Sequence, residues 1–105
     1  MEAEDFSLSV EQNGAETVVR VTGEIDLATA PRLEECLLEL DGRPIALDFS
    51  AVTFMDASGI SVLLATQQSA GGGAFTIRGV QPAQMRVFEI TGVTDRFNLD
   101  LDRAE

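Results

Sequence analysis

The sequence has 105 residues, enough for one domain with a modest core. Its content of 45% hydrophobic and 24% charged residues is ordinary for a soluble globular protein. Seven cations against 18 acidic residues give a formal net charge of −11, and the cations are all Arg, scattered at 20, 32, 43, 78, 86, 96 and 103, which argues against nucleic acid or an anionic membrane surface as a partner.

Phe6, Leu8 and Val10 alternate with Ser7, Ser9 and Glu11, the period of a half-buried strand. Asn13-Gly14 is a hairpin signal, and the β-branched run Thr17 to Thr22 reads as the returning strand. Gly23-Glu24-Ile25-Asp26 breaks the strand pattern. Thr29 is the expected N-cap of a first helix, with Pro31 in its first turn. Leu33, Cys36, Leu37 and Leu40 supply its apolar face, and Asp41-Gly42 is expected to end it.

Pro44 to Phe49 suits a short buried strand ending at Asp48-Phe49-Ser50. A second helix is predicted from Ser58 to about Ala70, stopped by Gly71-Gly72-Gly73. A phosphate-cradling role for these glycines is weak, because a phosphate loop also needs a Lys-Ser/Thr pair and the chain has no Lys. Phe75 to Arg78 reads as another strand. Pro82 opens a third helix that stops at Thr91-Gly92. Arg96 to Leu99 supplies a last strand, and the acidic tail Leu101 to Glu105 is expected to fray. Strands joined by helices imply parallel neighbours and right-handed crossovers. The fold class is therefore α/β: a mixed β-sheet with an N-terminal antiparallel hairpin, packed with helices, as a single domain over 1–105.

No apolar run approaches the roughly 20 residues that span a bilayer. Met1-Glu2-Ala3-Glu4-Asp5 lacks the basic and apolar regions of a signal peptide, so a cytoplasmic location is expected. Cys36 is the only cysteine. It allows no intramolecular disulfide and reads as a small buried hydrophobe. The absence of His removes the commonest general base and transition-metal ligand.

The most informative stretch is Val52-Thr53-Phe54-Met55-Asp56-Ala57-Ser58-Gly59-Ile60-Ser61-Val62-Leu63-Leu64. On spacing alone, Asp56 or Ser58 is best read as a cap that accepts amide hydrogen bonds. A nucleophilic Ser58 would need a positioned base and an oxyanion site. The chain offers neither His nor Lys as base, and no Gly-x-Ser-x-Gly elbow.

The segment resembles the phospho-acceptor segment of STAS-domain proteins, in particular bacterial anti-sigma factor antagonists. Gly23-Glu24-Ile25-Asp26 with Thr29-Ala30 is similar to the family's second-strand exit and first helix. Leu47-Asp48-Phe49-Ser50 resembles the end of its central strand, and Pro82-x-x-x-Arg86-Val87-Phe88-Glu89-Ile90-Thr91-Gly92 its late helix. The resemblance implies a non-enzymatic partner switch that needs neither metal nor cofactor. The unmodified protein would bind an anti-sigma factor that is also a serine kinase, freeing the sigma factor. Phosphorylation of Ser58 would end binding until a phosphoserine phosphatase reverses it. Glu24, Asp26, Thr29, Asp56, Ser58, Gly59 and Ile60 are the partner-binding residues so implied. Ala57 stands where another serine often precedes the acceptor, which leaves Ser61 and Thr66 as the neighbouring hydroxyls. The tail after Leu99 is short for the family's closing helix. STAS domains also serve as subunits of lipid-transport complexes and scaffolds, in which Ser58 would be a cap or interface hydroxyl. A small hydrolase or nucleotide binder is the third reading, disfavoured by the missing His, Lys and phosphate loop.

Overall fold

A computed structural model describes residues 6–40, 43–69 and 75–101. The elements run β1 (Phe6–Asn13), β2 (Glu16–Ile25), α1 (Ala30–Glu39), β3 (Ile45–Met55), α2 (Ala57–Ser69), β4 (Phe75–Val80), α3 (Pro82–Ile90), a 3-10 turn at Thr94–Arg96, and β5 (Asn98–Leu101). The five strands form one sheet in the order β1-β2-β3-β4-β5. β1 and β2 are antiparallel, and every later pair is parallel. This is the mixed α/β sheet expected from the alternation of elements.

The opening hairpin differs in detail from the sequence reading. Asn13 pairs with Glu16 as the last rung, so the two-residue turn is Gly14-Ala15. Only Gly14 takes positive φ, at 65°, the pattern of a turn with Gly at its first central position. β2 does not stop at Thr22 but runs to Ile25, through register shifts against β3 at Arg20/Thr22 and Gly23/Glu24. Both shifts put the extra residue on β3, between Asp48 and Ala51 and again at Thr53, so β2 stays paired across Gly23 to its end at Ile25.

One face of the sheet is covered. In β2, Val19, Val21 and Ile25 are buried while Arg20, Thr22 and Glu24 are exposed, the period of a strand with one dry side. Coverage fades along β1 from buried Phe6 through half-buried Leu8 to Val10, which is 51% exposed. α1 buries Ala30, Leu33 and Leu37. Ile60, Val62 and Leu63 of α2 join Phe49, Ile77, Phe88 and Phe97 in the same core. The Phe88 and Phe97 rings meet edge-on at 5.6 Å, a favoured aromatic arrangement. Cys36 packs half-buried against this core. Burial, and then the nearby Glu39 carboxylate, push its thiol up from its ordinary value.

β3 continues well past the expected Phe49 end, to Met55. β4 accompanies it only as far as Asp48↔Arg78. Beyond that point the Gln81 side-chain amide takes over from the missing strand, donating to the carbonyls of Ser50 and Val52, each at 3.0 Å. It thereby docks the start of α3 on β3. The last strand begins at Asn98 rather than Arg96, because Thr94–Arg96 form the 3-10 turn. The expected stops at Asp41-Gly42 and Gly71-Gly73, and the tail after Leu101, lie outside the described residues.

Candidate functional site at the carboxyl ends of β2 and β3

The parallel pair β2 and β3 ends on the rungs Glu24↔Phe54 and Ile25↔Met55. Their exit loops therefore start side by side. The Asp56 amide donates to the Ile25 carbonyl at 3.2 Å, which holds the two loops together at their roots.

The first loop is built by Asp26 and Thr29. Asp26 Oδ1 accepts the amides of Ala28 at 3.0 Å and Thr29 at 3.1 Å, a side chain standing in for a backbone turn. Thr29 Oγ1 accepts the Asp26 amide at 2.9 Å and donates to the Glu24 carbonyl at 2.8 Å. Thr29 holds the expected N-cap position but makes no side-chain cap bond to α1. Its hydroxyl is committed backward, to the end of β2.

The second loop is a single residue. Asp56 Oδ1 accepts the Ser58 amide at 2.9 Å, and the Asp56 carbonyl accepts the Gly59 amide at 3.1 Å. Asp56, not Ser58, is thus the cap of α2, which begins at Ala57, one residue before the expected start. Ser58 lies inside the first turn. It is half-buried, and its hydroxyl makes no hydrogen bond among the described residues. The helix dipole leaves partial positive charge at this turn.

Gly59 is buried for a reason of space. A Cβ there would stand 2.8 Å from Met55 Cγ, 2.9 Å from Met55 Sδ and 3.0 Å from Ile25 Cγ2. Only glycine lets the first turn of α2 sit so close to the ends of both strands. Ile60 follows into the core at 4% exposure.

The residues singled out from sequence therefore divide by depth. Glu24 is exposed, and Asp26, Asp56 and Ser58 are partly accessible. Thr29, Gly59 and Ile60 are buried beneath them. Of the neighbouring hydroxyls, Thr66 is buried and donates to the Val62 carbonyl at 2.9 Å. Ser61 is exposed and donates back to Ala57 at 3.3 Å.

Sequence reading passed over two residues of this region. Leu27 is 79% exposed in the first loop, and Phe54 is 48% exposed on the outward face of β3. Alternation gave no signal for Phe54: two residues after buried Val52 it should share that face, and the register shift between Gly23↔Val52 and Glu24↔Phe54 turns it outward. Leu27 did carry a signal, as a large apolar residue among turn-forming neighbours.

A cavity of about 370 Å³ lies nearby, between Ser50–Thr53 and Gln81–Gln84. Its Gln81 amide is already spent on β3 carbonyls. Among the described residues no group of three or more carboxylates or thiols is arranged to hold a metal ion, and no helix is long and apolar enough to cross a membrane.

Residues 7–105 match the STAS domain family. The chain is 30% identical over 95 residues to the anti-sigma-B factor antagonist of Bacillus subtilis, covering 87% of each. It is 34% identical over 87 residues to the anti-sigma-B factor antagonist of Staphylococcus aureus, covering 78% of this chain and 81% of that one. An anti-sigma factor antagonist from Mycobacterium paratuberculosis, whose crystal structure is known, superposes with a TM-score of 0.86 at 33% identity, over 95% of this chain and 90% of that one.

Proposed function

The chain belongs to the STAS domain family, and from that premise we propose that it acts as an anti-sigma factor antagonist switched by phosphorylation of Ser58. The unmodified protein captures an anti-sigma factor that is also a serine kinase, and so releases the sigma factor. The kinase then phosphorylates Ser58, capture ends, and a phosphoserine phosphatase restores it. In this reading residues 1–105 work as one STAS unit in the cytoplasm, as substrate and ligand rather than as enzyme.

The observation that carries the proposal is the Ser58 hydroxyl: partly accessible, without a hydrogen-bond partner among the described residues, and set in the first turn of a helix. A phosphate there gains the dipole of the α2 N-terminus, while the Ser58 and Gly59 amides stay bonded to Asp56. It also adds about −1.5 to −2 charges beside Asp56 and near the Asp26 loop. These effects oppose each other within the protein, so modification is expected to leave the fold unchanged. The cost falls at the interface, where a dianion must be desolvated against a surface fitted to a hydroxyl. Each 1.4 kcal/mol or so of that cost weakens binding about tenfold.

Glu24, Asp26, Asp56 and Ser58 present the surface that a partner meets. Thr29, Gly59 and Ile60 act from beneath, by fixing the loops and the helix start. The test is incubation with each anti-sigma kinase of the source genome and ATP, read by intact mass and by pull-down. One phosphate, at Ser58, is expected. Ser58→Ala should bind without being modified, and Ser58→Asp should not bind. Undiminished binding by Ser58→Asp defeats the switch.

A further inference from the structure

Leu27 and Phe54 stand out because nothing in the fold needs them exposed. Leu27 is one residue past Asp26 in a loop otherwise made by polar side chains and small Ala28, and 79% of it is exposed. Phe54 is the cross-strand neighbour of Glu24 at the end of β3, on the outward side of the strand, and it is 48% exposed. Leu27 lies in the loop that leaves β2 and Phe54 at the end of β3, just before the turn to Ser58, and the Asp56–Ile25 hydrogen bond holds the two exits together.

Glu24, Asp26 and Asp56 share this end of the sheet, and neither loop, Asp26 to Thr29 or Asp56 to Gly59, contains a cation. Large apolar side chains framed by charge of one sign form the usual anatomy of an interface, an apolar anchor with a polar rim. We infer that Leu27 and Phe54 are the anchors by which this chain holds its partner, and that the partner's matching surface is an apolar recess bordered by Lys or Arg. The inference rests on the anti-sigma factor reading above and assigns the chemistry of that partner's docking surface. The acidic rim steers and orients the encounter, while the two apolar side chains govern how long the complex lasts. Ser58 then reports on the complex without supplying most of its affinity.

The experiment uses the full chain and purified anti-sigma kinases of the source genome, without ATP, by surface plasmon resonance across a salt series. Leu27→Ala and Phe54→Thr each should raise the dissociation rate at least about tenfold, with unfolding midpoints unchanged because both positions are exposed. Glu24→Gln should instead lower the association rate and flatten its salt dependence. Wild-type dissociation and affinity in the Leu27→Ala/Phe54→Thr double variant, alongside loss of binding in Ser58→Asp, overturns this inference and leaves the switch standing. Failure of every kinase to bind the wild-type chain overturns both.

Discussion

The carboxylates at the ends of β2 and β3 and those on the open face of the sheet are put to different uses. On the open face, Asp48 meets Arg20 at 3.2 Å and Glu16 meets Arg78 at 3.0 Å, each acid matched by a base on the neighbouring or next strand. At the strand ends, Asp26 and Asp56 instead accept backbone amides. Amide hydrogen bonds fix a carboxylate in place but leave its charge in full. The contrast shows how a chain of net charge −11 can balance its charge on one surface and keep an acidic one beside the proposed acceptor serine.

The contrast is broken most severely through Gly59. Gly59→Val would push new carbons into Met55 and Ile25, and a loss of about 3 kcal/mol in urea unfolding is expected from overpacking. Thr29→Val strands the Asp26 amide and the Glu24 carbonyl. It should cost about 2 kcal/mol by the same assay and speed hydrogen exchange at the Asp26 amide. A smaller cost there than for any change on the open face would reverse the comparison.

Asp48 sharpens it through pH. Burial pushes its carboxyl up, but hydrogen bonds from the Ser50 hydroxyl and amide, then the bond and charge of Arg20, outweigh burial and hold it below the usual carboxylate range. A group with a lowered folded pKa stabilises the protein above its unfolded value of about 3.9. That contribution is lost as pH falls through the lower folded value. Asp48→Asn should therefore cost about 1 kcal/mol at neutral pH, and the gap to wild type should close below about pH 4 in acid-unfolding curves. The smallest effect belongs to Arg78→Gln. Its ion pair with Glu16 is exposed on both sides, and a change within about 0.5 kcal/mol is expected, vanishing in high salt.

Much of the molecule was legible because its signals are local. The apolar period of Leu33, Leu37 and Leu40 marked α1, Pro82 marked the start of α3, and the alternation from Phe6 to Glu11 marked β1. The misreadings share one cause. Gly23 looked like a strand end but lies within β2, and Ser50 looked like the end of β3 but lies inside it. Both strands are extended by pairing with each other, a partnership between residues about thirty positions apart that no local window contains.

The same division runs through the candidate site. The sequence alone determined that Ser58 sits at a turn into a helix, that Asp56 precedes it by two residues, and that no His or Lys is available to make it a nucleophile. Tertiary structure decided depth. It drew Thr29, Gly59 and Ile60 under the surface, committed the Thr29 hydroxyl to β2, made Asp56 the cap of α2, and left Leu27 and Phe54 outside. Burial depends on what packs against a residue from distant parts of the chain. A motif can therefore name the residues of a surface before the fold has settled which of them a partner can touch.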